Sequence, residues 1–206
     1  MAQPFHVHPD NPQPRLLKQA VALLGQGGIV AMPTDSSYAL ACHLDDKAAA
    51  DALRRIRGVD DKHHLTLLCR DLKELSTYAR VDNTQFRLIK AGTPGPYTFI
   101  LEATKEVPRR LSHPKRLTIG LRVPGHHVLQ ELLAMHGAPL LATTLIAPGQ
   151  TEPLNDADLI RDQFEHQLAA IIDAGACASE PTTVIDLTDG VQVVRQGRGD
   201  LARLGL

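Results

Sequence analysis

The most informative segment of this chain reads Met32-Pro33-Thr34-Asp35-Ser36-Ser37-Tyr38-Ala39-Leu40. It continues an apolar run, residues 28–32, which has the composition of a buried strand. The run breaks at Pro33, because proline cannot donate a main-chain hydrogen bond to a sheet. A turn rich in hydroxyls follows. The pattern therefore predicts a strand that delivers polar side chains to a binding site.

On both sides of this segment, predicted helices alternate with predicted strands. Helical spacing of apolar residues predicts helices at 16–24, 45–56, 72–78, 85–90, 128–136 and 156–167. Buried strands are predicted at 65–69, 97–102, 118–123 and 140–144, and short strands at 170–172, 183–187 and 192–195. This alternation favours an α/β fold. The length of 206 residues suits a single domain, residues 1–206.

Composition and charge limit the class of function. With 43% hydrophobic residues, 3% aromatic residues and no Trp, the core must be built from aliphatic side chains. The formal net charge of −1 gives no global field for nucleic acid, so an anion site would need local clustering. Three widely spaced cysteines favour a reducing cytoplasm. We expect neither an export signal nor a membrane span.

Two groups of arginines are candidates for such a cluster. Arg55 and Arg57 lie two residues apart, so they would converge on one ligand only if their helix ends near Gly58. Cations in a last helical turn also offset the helix dipole. Arg122 ends a predicted strand just before Pro124, where either a ligand carboxylate or an edge salt bridge would explain it.

Other polar groups have weaker patterns. Hydroxyls recur near predicted strand ends, although threonine is also a good strand former. The pairs His63-His64 and His126-His127 are poor chelates, so no metal site is predicted and we expect these histidines at the surface. Arg109, Arg110, Lys115 and Arg116 could touch RNA phosphates or simply be solvated. No glycine-rich phosphate loop is present, so side chains would have to hold any phosphate.

These motifs together resemble the YrdC/YciO family, and most closely its YciO branch. The resemblance rests on residues 32–40, on Arg55-Ile56-Arg57 and on residues 118–124; the segments 93–98, 139–144 and 182–188 follow in the family's order and spacing. It covers nearly the whole chain. The resemblance implies a YrdC-like (DHBP synthase-like) fold, which is a twisted, open, mixed sheet flanked by helices in a single domain with a cationic crevice.

The same resemblance implies a reaction. Threonylcarbamoyl-AMP synthases convert ATP with Mg²⁺, L-threonine and bicarbonate to threonylcarbamoyl-AMP and pyrophosphate, the first step of a tRNA adenosine modification. The family's Lys-x-Arg motif falls on Arg55 and Arg57, which are the predicted catalytic residues. Arg122 matches the arginine that binds the substrate carboxylate, and Arg195 matches one that approaches the triphosphate. The other predicted substrate-binding residues are Thr34, Ser36, Tyr38, Lys62, Thr118, Thr143, Thr144 and Thr182.

Two departures from the family pattern leave alternatives open. Arg55 replaces the motif lysine, which exchanges a compact ammonium for a planar fork. The Ser-x-Asn motif falls on Thr144-Leu145-Ile146, and Ile146 lacks every hydrogen-bonding atom of the asparagine side chain. A weak or altered synthase and a competent one are both consistent with this sequence. The alternative is a protein that binds double-stranded RNA or tRNA without synthase activity.

Overall fold

A computed structural model describes residues 1–60, 63–112, 115 and 117–206. Within these residues ten strands form one mixed sheet in the order β1-β8-β2-β3-β7-β4-β6-β5-β9-β10. The strands are β1 (Gln3–His6), β2 (Val30–Met32), β3 (Ala39–His43), β4 (Thr66–Leu68), β5 (Tyr97–Glu102), β6 (Thr118–Arg122), β7 (Leu140–Thr144), β8 (Ala170–Asp173), β9 (Thr183–Asp186) and β10 (Gln192–Arg195).

Six α-helices lie between the strands in the described residues. They are α1 (Pro14–Gly25), α2 (Lys47–Arg57), α3 (Leu72–Tyr78), α4 (Asn83–Gly92), α5 (His127–His136) and α6 (Ala157–Phe164), and a short 3₁₀ helix spans Leu201–Leu204. Aspartate side chains at 46, 71, 82 and 156 accept main-chain hydrogen bonds at the N-termini of α2, α3, α4 and α6. Such caps satisfy donors that a helix leaves unpaired, and each contributes about 1 kcal/mol.

The predicted helices are all present, but two strands were not predicted. β3 follows the hydroxyl-rich turn directly and pairs antiparallel with β2, with Ala31 opposite Leu40. β1 pairs in parallel with β8. β1 contains a proline and β3 reads Ala-Leu-Ala-Cys-His, so neither has the β-branched composition that marks a strand in isolation. Residues 33–38 therefore connect two neighbouring antiparallel strands.

Helices α1 and α5 cover one face of the sheet, but only over about half of its width. Leu17 of α1 and Leu133 of α5 pack with Val30, Leu140 and Ile172 in one apolar cluster, which covers the β1, β8, β2, β3 and β7 side. Each such buried leucine or isoleucine contributes roughly 1.5–3 kcal/mol of transfer free energy. The same face continues over β4, β6, β5 and β9, where it carries threonines and a glycine.

The opposite face of the sheet packs against a larger core. Leu53 of α2, Ile89 of α4 and Ile160 of α6 belong to one cluster with Phe99 and Leu121 of the sheet. Because successive residues of a strand face opposite ways, the burial of Leu121 turns its neighbours Gly120 and Arg122 to the other face. None of the helices in the described residues is long and apolar enough to cross a membrane.

Candidate functional site

A crevice of about 540 Å³ lies over the part of the sheet that α1 and α5 leave uncovered. Its floor is a row of small or hydroxyl side chains. Ala142 of β7, Thr66 of β4 and Gly120 of β6 stand side by side in register. A β-carbon at Gly120 would lie 3.2 Å from Thr66 Oγ1 and 3.4 Å from Thr98 Cγ2. The glycine therefore keeps the floor low enough to admit a ligand.

Two arginines from distant elements line the crevice at opposite ends. Arg57, the last residue of α2, donates from Nε to the Thr144 carbonyl oxygen at 3.1 Å. Arg195 on β10 donates from Nε and Nη2 to the Thr182 carbonyl oxygen, at 3.1 and 2.9 Å. Burial lowers the pKa of each guanidinium, which nevertheless stays protonated near neutral pH because arginine is so basic. Both side chains therefore present positive charge beside the floor.

Arg122 holds the hydroxyl-rich turn against the end of β6. Its Nη2 donates to the carboxylate of Asp35 and, at 3.2 Å, to Thr34 Oγ1. The other Asp35 oxygen accepts from the Gly125 main-chain nitrogen at 2.6 Å. The pair is largely buried, with side-chain exposures of 8% for Arg122 and 15% for Asp35. Arg122 Nε is buried and has no hydrogen-bond partner among the described residues.

The hydroxyl of Thr34 stabilises the turn by hydrogen bonds to its main chain. It accepts from the main-chain nitrogens of Ser36 at 3.0 Å and Ser37 at 3.2 Å, and it donates to the Ser37 carbonyl oxygen at 2.7 Å. The Ser36 hydroxyl lies 3.1 Å from the same oxygen. Thr34 lines the crevice but Ser36 does not. Substrate binding by these two residues stays a prediction.

Tyr38 is fully buried at the crevice wall. Its hydroxyl donates to the Gly175 carbonyl oxygen at 3.3 Å. Burial raises the pKa of the Tyr38 hydroxyl far above its ordinary value, and the nearby Cys177 and Asp173 add to this. The side chain therefore stays neutral and contributes shape rather than charge.

Four predicted threonines and two unpredicted histidines complete the lining. Thr118, Thr143, Thr144 and Thr182 all line the crevice. His63 and His64 do so as well. The expectation that this pair lies at the surface is wrong for His63, which is half-buried with Nε2 3.1 Å from Thr143 Oγ1. Spacing along the chain gave no signal for this contact, because it depends on β4 beginning beside the end of β7.

The structure separates Arg55 from Arg57. α2 ends at Arg57, next to Gly58, as predicted from the sequence, and Gly58 takes the left-handed conformation with a φ of 69°. Two residues along a helix differ by about 200° of rotation, however, and Arg55 lines a second cavity of about 390 Å³ with Pro148 and Gln163. The two arginines do not converge. The predicted residue Lys62 lies outside the described residues.

The described residues give little support for a metal site or an RNA-binding site. No group of three or more His, Cys, Asp or Glu side chains able to hold a metal ion occurs there. In the basic loop, Arg110 Nη2 donates to the Leu44 carbonyl oxygen at 3.1 Å, and Arg116 lies outside the described residues. RNA binding stays a prediction.

A mixed open sheet flanked by helices defines an α/β protein, and this one has a crevice lined by arginines and hydroxyls. More specifically, the chain belongs to the Sua5/YciO/YrdC family, whose family model, described as "Telomere recombination", matches residues 22–197. YciO of Escherichia coli (strain K12) is 53% identical over 202 residues, which are 98% of each chain. The predicted family membership is confirmed.

Solved structures and a named enzyme extend the comparison. The crystal structure of E. coli YciO superimposes with a TM-score of 0.95 over 99% of this chain and 100% of that chain, at 52% identity. P. abyssi Sua5 complexed with L-threonine shares the fold, with a TM-score of 0.87 at 23% identity over 94% of this chain and 57% of that one. The threonylcarbamoyl-AMP synthase of Vibrio vulnificus is 30% identical over 159 residues, covering 76% of this chain and 84% of that enzyme. The predicted YrdC-like fold is confirmed.

Proposed function

We propose that the crevice binds ATP with Mg²⁺ together with L-threonine, and that the chain makes threonylcarbamoyl-AMP from these and bicarbonate. The observation that carries the proposal is the presence of Arg57, Arg122 and Arg195 around one hydroxyl-lined floor. The relatives indicate which reaction to propose, because a threonylcarbamoyl-AMP synthase is 30% identical to this chain and a Sua5 of the same fold was crystallised with L-threonine.

The arginines match the charge of a triphosphate. Among the described residues, the hydrogen bonds of Arg57 and Arg195 go to Thr144 and Thr182 and none goes to a carboxylate. Their charge is therefore available to an anionic ligand. A hydrogen bond between charged partners contributes roughly 1.5–3 kcal/mol. Cations fixed in this way would also stabilise the pyrophosphate that leaves when the α-phosphate is attacked.

Arg122 is suited to the carboxylate of an amino acid. Its Nη2 is already held by Asp35 and Thr34, which fixes the plane of the guanidinium. The Arg122 side chain also lines the crevice, on the side where we place the carboxylate. Arginine binds carboxylates through such a planar arrangement of donors, whereas lysine does not.

Ile146 is the feature that limits the activity. It lines the crevice two residues after Thr144, at the asparagine of the family motif. An apolar side chain there cannot orient a phosphate or a carbamate by hydrogen bonding. Misplacement of a reacting group lowers the rate steeply, because much of catalysis in such reactions is positioning. We therefore propose a slow synthase.

The test is pyrophosphate release in the presence of ATP, Mg²⁺, bicarbonate and threonine. We expect release that depends on threonine, that is lost in Arg57→Ala and that rises in Ile146→Asn. Arg161→Ala is a matched control, because Arg161 is on α6 in an exposed ion pair with Asp158. A native chain that releases no pyrophosphate above the threonine-free background would overturn the proposal.

A further inference from the structure

Arg57, at the end of α2, and His63, shortly before β4, contact consecutive residues of β7. Arg57 Nε donates to the Thr144 carbonyl oxygen, and His63 Nε2 lies 3.1 Å from Thr143 Oγ1. Thr143 is 8% exposed, and both members of the His63 contact line the crevice. A hydroxyl and an imidazole within hydrogen-bond distance are the arrangement in which the imidazole can accept the hydroxyl proton.

The proposed reaction needs a proton acceptor. Near neutral pH the amine of an amino acid is an ammonium ion, which has no lone pair with which to attack carbon. This nitrogen can form a bond to carbon, and so become the nitrogen of a carbamate, only after the ammonium ion has lost one proton. A positioned side chain that takes such a proton contributes typically about 10²–10⁴-fold in rate.

The other titratable side chains that line the described part of the crevice are poorly suited. Arg57, Arg122 and Arg195 stay protonated. The Tyr38 hydroxyl donates a hydrogen bond to the Gly175 carbonyl oxygen and keeps its proton. Asp186 Oδ1 accepts from the Thr188 main-chain nitrogen at 2.9 Å and from the Thr188 hydroxyl at 2.6 Å.

This leaves the imidazoles of His63 and His64, of which His63 contacts a buried hydroxyl of the crevice. The groups that act on His63 are Arg54 and Arg57 on α2, and His64 and Asp60 on its own segment. Burial lowers the pKa of His63, and Arg57, His64 and Arg54 lower it further, whereas Asp60 raises it. The imidazole is therefore neutral at pH 7 and free of a proton on one ring nitrogen.

We infer that Thr143 and His63 form the proton-accepting pair of the crevice, an inference that rests on the proposed synthase function. The substrate N–H bond breaks and its proton goes to Thr143 Oγ1, while the Thr143 hydroxyl proton passes to His63 Nε2. The freed electron pair on nitrogen forms the bond to the carbon of bicarbonate, and the C–OH bond of bicarbonate breaks. The departing hydroxide takes the second N–H proton and leaves as water, while His63 becomes an imidazolium ion. It returns its proton to water after the product leaves.

The experiment compares His63→Gln, Thr143→Val and Thr143→Ser with the native chain. Pyrophosphate release is measured from pH 5 to pH 9, and the dissociation constant for ATP is measured separately. We expect His63→Gln and Thr143→Val to lose about 10²-fold or more in rate at pH 7.5 with ATP binding within twofold of native. Thr143→Ser keeps the hydroxyl and should keep most of the rate. His166→Gln, at an exposed histidine beside Glu165, is the matched control.

The pH profile distinguishes a proton acceptor from a structural contact. The native rate should fall at acid pH as His63 becomes protonated, and this fall should be absent from the residual rate of His63→Gln. A His63→Gln rate within twofold of native overturns the inference and leaves the synthase function standing. A native chain that shows no threonine-dependent release overturns the synthase function, and the inference with it.

Discussion

Removing the charge of Asp35 should destabilise the fold more than any exposed ion pair could. Asp35→Asn keeps the size of the side chain but leaves the Arg122 guanidinium buried without its counter-charge. Breaking a buried pair by removing one partner costs about 3–5 kcal/mol. The Asp35 side chain is 15% exposed and some water reaches it, so we expect the lower end, about 3 kcal/mol.

Urea unfolding measures this loss. A change of about 3 kcal/mol lowers the folding equilibrium constant by more than about 10²-fold. With a slope of about 2 kcal/mol per molar urea, the midpoint should fall by roughly 1.5 M. The slope itself should not change, because the folded state keeps its compactness.

Two variants make the measurement decisive. Glu102→Gln breaks the Arg80–Glu102 pair, whose side chains are 71% and 53% exposed, and should cost at most about 1 kcal/mol. Arg122→Met in the Asp35→Asn background removes the stranded charge and should recover much of the lost stability. Equal losses in Asp35→Asn and Glu102→Gln, or no recovery in the double variant, would refute the reasoning.

Three further outcomes are expected from the same structure. Thr34→Val should lose about 1–3 kcal/mol in urea unfolding, because two main-chain N–H groups of the turn lose their acceptor; an unchanged midpoint would contradict that part. Burial and the neighbouring His43 lower the pKa of His136, so the unfolded chain binds more protons than the folded one. The stability of the native chain should therefore fall as the pH drops below about 6.5. In thermal melts, His136→Phe should show a smaller loss of stability over the same pH range. Burial raises the pKa of Cys42 to about 12 and that of Cys177 to about 11. Both thiols should therefore react slowly with a disulfide reagent at pH 8 until urea unfolds the chain. Fast labelling of the native protein would argue against their burial.

The fold class could be predicted because helix and strand signals alternate along the chain, and the missed elements show where that signal ends. β3 is rich in alanine and has no β-branched residue. It is a strand because β2 and β7 pair with it on both sides. Such tertiary pairing overrides local propensity, and a single sequence does not display it.

The lining of the candidate site was easiest to predict where one strand carries several of its residues. Arg122 and Thr118 belong to the same strand, so their common face follows from alternation. Arg55 was assigned by family resemblance against the helical geometry, which argued that it and Arg57 face different ways, and the structure agrees with the geometry. His63 could not be found from spacing, because its partner Thr143 lies 80 residues away.

The position of Arg195 at the margin of the sheet has a dynamic consequence. Among the described strands β10 pairs only with β9, its register shifts between Val193 and Arg195, and all four of its residues are exposed. Marginal strands with few buried contacts open locally at a lower free energy than central ones. The amide hydrogens of β10 should therefore exchange with deuterium sooner than those of β6. A bound polyanion that engages Arg195 would slow that exchange, so a stretch of backbone far from α2 would report occupancy of the crevice.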